Sequence, residues 1–369
     1  MSYNVTWYLL EDEGKIESPG LIFFEDRIKE NITRLINTVG DTSRLRPHVK
    51  THKSADVTRF LLDAGISKFK CATIAEAEML ADCGAPDILL AYQPVGPTLS
   101  RFMALQQRFG ELKFSCLVDN VNTGKLISKA SENLGLITNV YLDLNVGMNR
   151  TGLRIAKAMK CYKELTSLTG IRVIGLHAYD GHIHEADFQR RQELVRPIIA
   201  SLKTLQDTIG AIPALQVVAG GTPTFPIYCA ETNFDCSPGT FTLWDYGYGQ
   251  AFLEQDYLPA AVLITRVVSL PAANLICTDL GHKAVAAENT LQNRVFFLNA
   301  PDLLPVSQSE EHMVLKAPYA SSYKVGDVLY ALPYHVCPTV ALYDTATSIA
   351  SSREAETWTI HSRKRKITL

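Results

Sequence analysis

Short apolar runs alternate with amphipathic helical patterns over the first two thirds of the chain. The run SPGLIFF is typical of a strand, and EDRIKENITRLINTVG is typical of a helix, with Ile28, Ile32 and Leu35 at helical spacing and Gly40 at its end. Later strand-like runs are LRPHVK, KFKCAT, DILLAY, FSCLVD, NVYLDLN, VIGLHAY, LQVVAG and CSPGTFTLWD. This alternation predicts an α/β fold with a parallel sheet, and about eight such units close into a (β/α)8 barrel of the TIM type.

A doubly wound open sheet is the alternative, but no GxGxxG sequence follows a predicted strand. From about residue 253 the pattern changes to strands separated by turns, namely PAAVLITRVVSL, NLICTDLG, NRVFFLNA, HMVLKA and DVLYALPYHVCPTVALYD. We therefore predict a barrel over residues 20–252. A β-rich C-terminal domain would comprise residues 1–19, which supply an N-terminal strand, and residues 253–369.

Charge and composition narrow the class of protein. The chain has 36 Lys and Arg against 38 Asp and Glu, which argues against a nucleic-acid or anionic-membrane surface. It has no apolar stretch of the roughly 18 residues that a transmembrane helix needs, and its N-terminus lacks the basic start of a signal peptide. Eight scattered cysteines without a CxxC pair indicate reduced thiols. These features predict a cytoplasmic protein.

The stretch RPHVKTHK concentrates positive and titratable side chains at the end of a predicted barrel strand. Strand alternation directs Arg46, His48 and Lys50 to one face, and barrel enzymes carry catalytic residues at the carboxyl ends of their strands. Desolvation and neighbouring cations both favour a neutral lysine, which an imine-forming nucleophile requires. The alternative is that Lys50 and Lys53 are solvated loop residues.

Other polar motifs also follow predicted strands. The loops AGGTPTF and SPGT follow the seventh and eighth strands, where barrels bind phosphate through backbone N–H groups; ordinary glycine turns are the alternative. In PYHVCP, strand alternation directs His335 and Cys337 to one face. A histidine and a cysteine are plausible zinc ligands, and a buried cysteine beside a hydrogen-bonded histidine is the alternative.

The motifs RPHVKTHK, CATIAEAE, DLNVGMNRTGL, HAYDGH, AGGTPT, SPGTFTLWD and PYHVCPTVALYD occur in that order. Together they resemble the D-threonine aldolase and D-serine dehydratase family of fold-type III pyridoxal-phosphate enzymes, whose barrel is shared with alanine racemase. The resemblance covers nearly the whole chain.

The resemblance implies roles for individual residues. Lys50 would hold pyridoxal 5'-phosphate covalently, with Lys53 as the second choice. Arg150 would approach the phenolic oxygen of the cofactor, and Tyr179 would lie beside its pyridine ring. His182 and His184 are the candidates for proton transfer. The phosphate-binding candidates are Gly220, Gly221, Thr222, Gly239 and Thr240.

The family also implies a divalent metal, held here by His335 and Cys337, that contacts the β-hydroxyl of the substrate. A thiolate ligand favours zinc, whereas manganese or magnesium suit the aspartate that the aldolase branch usually carries at the position of Cys337. The dehydratase branch carries cysteine there, but the motifs as a whole are closer to the aldolases.

We therefore predict a lyase that cleaves a D-amino acid such as D-threonine to glycine and acetaldehyde. The alternative is a D-serine or D-threo-3-hydroxyaspartate dehydratase. An amino-acid racemase fits less well because it needs no metal, and a non-catalytic pyridoxal-phosphate-binding protein fits less well because it would lack the second domain. The family resemblance further implies a head-to-tail homodimer.

Overall fold

A computed structural model describes residues 6–369 and divides them into two compact units. The β unit contains residues 6–32, 51–54 and 240–363, and the barrel unit contains residues 33–50, 55–239 and 364–369. The strands are β1 (Gly20–Phe24), β2 (Lys68–Cys71), β3 (Asp87–Leu90), β4 (Lys113–Val118), β5 (Thr138–Asn145), β6 (Leu153–Arg154), β7 (Ile171–Ala178), β8 (Gln216–Ala219), β9 (Asp235–Cys236), β10 (Ala261–Ala272), β11 (Leu275–Thr278), β12 (Val295–Phe297), β13 (Leu304–Gln308), β14 (Met313–Lys316), β15 (Val328–Pro333), β16 (Thr345–Ala350) and β17 (Arg353–Thr359).

Several helices begin at a residue whose side chain accepts a backbone N–H from the first turn. They are α1 (Glu25–Val39), α2 (Ala55–Asp63), α3 (Ile74–Asp82), α4 (Pro97–Arg108), α5 (Val121–Glu132), α6 (Ile155–Thr166), α7 (Phe188–Ile209), α8 (Phe225–Glu231), α9 (Tyr246–Ala251) and α10 (Val336–Val340). For α7, the carboxylate of Asp187 accepts the N–H of Arg190, and Gly210 ends the helix with a φ of 60°. None of the described helices is both long and apolar enough to cross a bilayer.

The barrel unit is built from parallel strands that pair in the order β2-β3-β4-β5-β7-β8-β9. An extended segment closes the ring, since Leu45 bridges Cys236 of β9 and His48 bridges Lys70 of β2. This segment was predicted as a regular strand over LRPHVK. It makes only isolated bridges, because Pro47 has no N–H to donate to a ladder. The seven paired strands and this segment together make the eight extended segments of the barrel. The predicted (β/α)8 class is confirmed.

Strand register directs a set of polar side chains into the barrel. Asp143 pairs with His177 across β5 and β7, and paired residues of parallel strands project from the same face of the sheet. Two residues earlier on β5, Tyr141 is fully buried. It has room because the facing residue is Gly175, where an added Cβ would come within 2.4 Å of the tyrosine ring. The interior of the barrel is therefore partly polar.

The β unit contains a sheet in the order β13-β14-β11-β10-β1-β16-β17, and β15 pairs with both β10 and β12. Its core packs Ile22 and Phe24 of β1 against Val262 and Ile264 of β10 and Leu332 of β15. The sequence analysis had identified β10, β11, β12, β14 and β15 as strands. It did not identify β13, β16 and β17, whose exposed faces interrupt the apolar pattern.

The structure corrects the assignment of the first strand. SPGLIFF was counted in the predicted barrel of residues 20–252, but β1 pairs with β10 and β16 in the β unit. A strand cannot be assigned to one of two sheets from its own apolar pattern. An N-terminal strand was also predicted within residues 1–19. Residues 1–5 lie outside the described part, and residues 6–19 form turns and one short 3-10 helix, Glu13–Lys15.

Candidate active site

Lys50 lies at the carboxyl end of the segment that closes the barrel. Backbone hydrogen bonds fix this segment on both sides: the N–H of His48 donates to the carbonyl of Pro238 at 2.9 Å, and that of Val49 donates to the carbonyl of Lys70 at 3.0 Å. The N–H of Lys50 donates to Nδ1 of His48 at 3.2 Å. The predicted anchor lysine is thus held at the end of the barrel where TIM-type enzymes carry their catalytic groups.

A cavity of about 270 Å³ opens at this end of the barrel unit. Lys50, Arg150 and Tyr179, all predicted site residues, line it. Three further lining residues, Lys70, Asp143 and His177, were not predicted as part of the site.

Three cationic side chains surround the ring of Tyr179. The ring centroid lies 5.9 Å from Nζ of Lys50, 5.6 Å from Nζ of Lys70 and 5.4 Å from Cζ of Arg150. The aromatic face and the positive charges together suit a flat, anionic ligand.

His177 and Asp143 form a buried pair on the cavity wall. Nδ1 of His177 lies 2.7 Å from Oδ1 of Asp143. Burial, the largest effect, lowers the pKa of His177, while Asp143 acts in the opposite direction and the net shift is downward. A neutral ring that donates through Nδ1 has Nε2 as an acceptor. Nε2 is buried and has no hydrogen-bond partner within residues 6–369, so it is available to a ligand.

An ion-pair network lies deeper in the barrel. Arg46, which is fully buried, places Nη1 2.6 Å from Oδ1 of Asp87 and Nε 3.5 Å from Oδ2 of Asp235. Burial lowers the pKa of Arg46, but Tyr141 and the two aspartates raise it above its ordinary value. Conversely, burial raises the pKa of Asp87, and Arg46 lowers it to below its ordinary value. Both groups are therefore charged, and Arg46 supports the base of the barrel rather than the cavity wall.

The predicted phosphate loops have the geometry of tight turns. Gly220 has a φ of 74°, which favours glycine. An added Cβ at Gly221 would come within 2.9 Å of the Tyr179 ring. The hydroxyl of Thr222 accepts the N–H of Gly239 at 3.2 Å, which ties the two loops together. Thr240, the fifth predicted residue, is counted in the β unit.

The structure does not bring the predicted proton-transfer histidines to the cavity. The side chains of His182 and His184 are exposed and do not line it. His182 packs over Gly147, where an added Cβ would lie 2.5 Å from Nε2. Lys53, the second choice for the anchor, is not among the lining residues either and has a φ of 51°.

His335 and Cys337 contact each other in the β unit. They do not alternate along one strand as predicted, because β15 ends at Pro333 and His335 precedes the short helix α10. Burial lowers the pKa of His335, but hydrogen bonding to Cys337 raises it, to about 9 overall. Nδ1 of His335 lies 2.6 Å from a carboxylate oxygen of Glu288, and Sγ of Cys337 lies 3.2 Å from the hydroxyl of Thr51.

The carboxylates of Glu288 and Asp245 lie near this pair. A carboxylate on the second ring nitrogen commonly orients a metal-binding histidine, and Glu288 is placed to do so. The nearby carboxylate of Asp245 already accepts the N–H groups of Val336 and Tyr248, at 3.0 and 2.9 Å. Among the described residues, no group of three or more His, Cys, Asp or Glu side chains is arranged to hold a metal.

Sequence reasoning missed Lys70, Asp143 and His177. Each lies inside a predicted strand, and only the register decides which face it occupies. For Lys70 that face follows from its bridge to His48, which the sequence does not specify.

Two family models match the chain. The model described as alanine racemase, N-terminal domain, matches residues 25–234, and the model described as putative serine dehydratase domain matches residues 260–349. Among curated proteins, the D-threonine aldolase of an Arthrobacter species is 28% identical and covers 95% of this chain and 93% of its own. The D-threo-3-hydroxyaspartate dehydratase of a Delftia species is 24% identical and covers 93% of this chain and 97% of its own.

The solved structure of D-threonine aldolase from Filomicrobium marinum has a TM-score of 0.86 and 22% identity, and it covers 94% of this chain and 96% of its own. That likeness shows the fold. The first family model covers more than half of the chain, and the resemblance inferred from the sequence motifs is confirmed. The chain therefore belongs to the family of the alanine racemase N-terminal domain, here followed by a domain of the putative serine dehydratase type.

Proposed function

We propose that this protein is a lyase that uses pyridoxal phosphate and a divalent metal to cleave D-β-hydroxy amino acids, as D-threonine aldolase does. One observation carries the proposal: Lys50 lies at the barrel end in a cavity that it shares with Tyr179 and Arg150. The lyase class is supported by the relatives, which are aldolases and dehydratases of D-amino acids.

The cavity residues fit the cofactor in chemistry and in space. The side chains that line the cavity include one amine for a covalent link. They also include further cations for an anionic ring oxygen and a phosphate. The buried Nε2 of His177, which has no hydrogen-bond partner in the described chain, is a further polar contact for a ligand. At Gly221, the missing Cβ leaves space against the Tyr179 ring. When bound, the cofactor withdraws electrons from the bonds at the α-carbon of the amino acid.

Each residue has a proposed task. Lys50 would hold the cofactor covalently. Arg150 would donate to its phenolic oxygen, and Tyr179 would support its ring. Gly220, Gly221, Thr222, Gly239 and Thr240 remain our candidates for phosphate binding. His182 and His184 remain our candidates for proton transfer, although both are exposed here.

We propose that His335 and Cys337 hold the metal. An imidazole and a thiolate favour zinc, and Glu288 would orient the imidazole. Two protein ligands leave positions for water and for the β-hydroxyl of the substrate. A metal bound there would act as a Lewis acid on that oxygen.

The proposed reaction is a retro-aldol cleavage. The β-hydroxyl of D-threonine loses its proton, the Cα–Cβ bond breaks, and the α-carbon gains a proton. The products are glycine and acetaldehyde, and the reaction needs no oxidant or reductant.

The second candidate is a dehydratase, and Cys337 is the observation that favours it. The dehydratase branch that this chain resembles carries cysteine at this position, and a dehydratase is among the relatives. In that reaction the α-proton and the β-hydroxide leave, and hydrolysis of the resulting enamine gives ammonia and a 2-oxo acid.

Product analysis with D-threonine separates the two candidates. The protein is incubated with pyridoxal phosphate and zinc or manganese, and the products are separated and identified. Glycine with acetaldehyde is the expected result, and ammonia with 2-oxobutanoate would overturn the aldolase assignment. L-Threonine and the Lys50→Ala variant are the controls, and neither should give product.

We further propose a head-to-tail homodimer and a cytoplasmic location. Within residues 6–369 none of the eight cysteines forms a disulfide, which suits a reducing compartment. We also propose that the barrel unit holds the cofactor and that the β unit holds the metal. Sedimentation of the full chain at several concentrations would test the dimer.

A further inference from the structure

A second lysine, Lys70, occupies the proposed cofactor cavity. It lies on β2 next to the Lys50 segment, where its N–H donates to the carbonyl of Pro47 at 2.9 Å and its carbonyl accepts the N–H of Val49 at 3.0 Å. It bridges His48 in register, so both side chains project into the barrel. Only 3% of Lys70 is exposed, and its side chain lines the cavity.

Burial of a lysine without a salt bridge is unusual and calls for a reason. Within residues 6–369, Lys70 is joined to no carboxylate by an ion pair. Its Nζ lies 5.6 Å from the ring of Tyr179, and Nζ of Lys50 lies 5.9 Å from the same ring. A hydrophobic residue would fill the same space without the free-energy cost of burying an amine. We therefore expect the amine to have a function in the cavity.

Burial and the charges around Lys70 bring its pKa close to neutral pH. Burial lowers the pKa of Lys70 most, followed by Lys50 and Arg46, whereas Asp143 and Asp180 raise it, and the result is about 7. The charged or titratable groups that face the two lysines are Arg46, His48, Tyr92, Asp143, Arg150, His177, Tyr179 and Asp180.

We propose that Lys70 is a positioning residue whose positive charge controls the protonation of the covalent link that Lys50 forms with the cofactor. The inference rests on the proposed function, because it requires that Lys50 be the anchor. Lys50 must be unprotonated to attack an aldehyde, and a nearby cation in a low-dielectric cavity disfavours a second positive charge.

Arg150 and His177 do not replace Lys70 in this role. Arg150 is already assigned to a ligand oxygen, and its permanent charge cannot respond to pH in the working range. His177 is held neutral by burial. Lys70 is therefore a lining residue whose charge can change near neutral pH.

A spectroscopic pH titration tests the proposal without measuring activity. The visible absorbance of the lysine-linked cofactor reports the protonation of the link. The midpoint of this absorbance change with pH can be compared between two variants. Lys70→Met removes the charge, and Lys70→Arg makes it permanent. We expect the midpoint of Lys70→Met to lie about one pH unit or more above that of Lys70→Arg, with the wild type between them. The control variant is Lys125→Met, which removes an exposed lysine on α5 and should leave the midpoint unchanged.

Borohydride reduction and peptide mapping of the same samples separate the possible failures. A label on Lys50 with equal midpoints in Lys70→Met and Lys70→Arg overturns the role of Lys70 and leaves the proposed function standing. A label on Lys70 in the wild type overturns the inference and the anchor assignment together, and so does the absence of any labelled lysine. If Lys70→Met fails to fold, Lys70→Gln supplies the neutral side chain, and the comparison with Lys70→Arg is unchanged.

Discussion

Arg46 and Asp87 form a buried ion pair inside the barrel, with 2.6 Å between Nη1 and Oδ1. Removal of one partner from such a pair costs about 3 to 5 kcal/mol, because the other charge stays buried. We expect Arg46→Met to lower the free energy of unfolding in urea denaturation by less than that amount, because Asp87 keeps Lys113 as a partner at 2.9 Å. The double variant Arg46→Met/Asp87→Asn should lose less stability than the single one. Wild-type stability in Arg46→Met would contradict the assignment of both groups as charged.

Lys50 and Lys53 give a matched pair of variants for the anchor. Lys50→Ala should lose the visible absorbance of the lysine-linked cofactor, because the amine that forms the link is removed. Lys53→Ala should keep it, since Lys53 does not line the cavity. If the absorbance survives in Lys50→Ala and disappears in Lys53→Ala, the anchor is Lys53 and not Lys50.

Removal of metal should abolish activity, and added zinc should restore it. Cys337→Asp replaces a thiolate by a carboxylate and should shift the metal that best restores activity from zinc toward manganese. The measurement is activity after chelation and addition of each metal in turn. Full activity in verified metal-free protein would exclude His335 and Cys337 from the reaction.

His52 makes stability depend on pH. Burial lowers the pKa of this histidine from 6.5 to about 3. The unfolded chain therefore binds a proton below pH 6.5 that the folded chain does not bind, so stability is full above pH 6.5 and falls as the pH falls toward 3. The slope from this one group is about 1.4 kcal/mol per pH unit.

Urea denaturation at pH 7.5 and pH 5.0 measures this effect. The loss of stability between the two pH values should be smaller in His52→Gln than in the wild type. His312→Gln, which removes an exposed histidine, is the control and should behave as the wild type does. Equal losses in all three proteins would show that His52 is protonated in the folded state.

Gly221→Ala should weaken cofactor binding without unfolding the protein. The new Cβ would lie 2.9 Å from the ring of Tyr179, so the ring must move. Overpacking of this kind costs about 1 to 3 kcal/mol, and a tenfold rise in Kd corresponds to about 1.4 kcal/mol. A fluorescence titration with pyridoxal phosphate measures Kd. Gly14→Ala, at an exposed glycine with nothing within 4 Å, should leave it unchanged.

The sequence was a good guide to the barrel and a partial guide to the site. Buried parallel strands appear as continuous apolar runs, so β2 to β5, β7 and β8 could be recognised one by one. Lys50, Arg150 and Tyr179 could be predicted because they follow strands within recognisable motifs. Lys70 could not, because KFKCAT has lysines on either side of Phe69, and the choice of the inward face depends on pairing with His48.

Two errors have the same physical origin. The strand β1 was assigned to the barrel, and PYHVCP was read as a continuous strand, because local pattern does not specify the partner of a strand or the residue at which it ends. His335 and Cys337 nevertheless contact each other, since a helical turn after Pro333 also brings nearby residues together. The exposure of His182 and His184 depends on the path of a loop, which no periodicity describes.

The position of β1 has a consequence for the order in which the chain can fold. Its neighbours, β10 and β16, are both synthesised after residues 33–239. The first strand must therefore remain unpaired while residues 33–239 become available to fold, and closing so large a loop makes its docking a late, slow step. Assembly of the β unit is thus coupled to completion of the polypeptide, whereas the barrel can begin to form during translation.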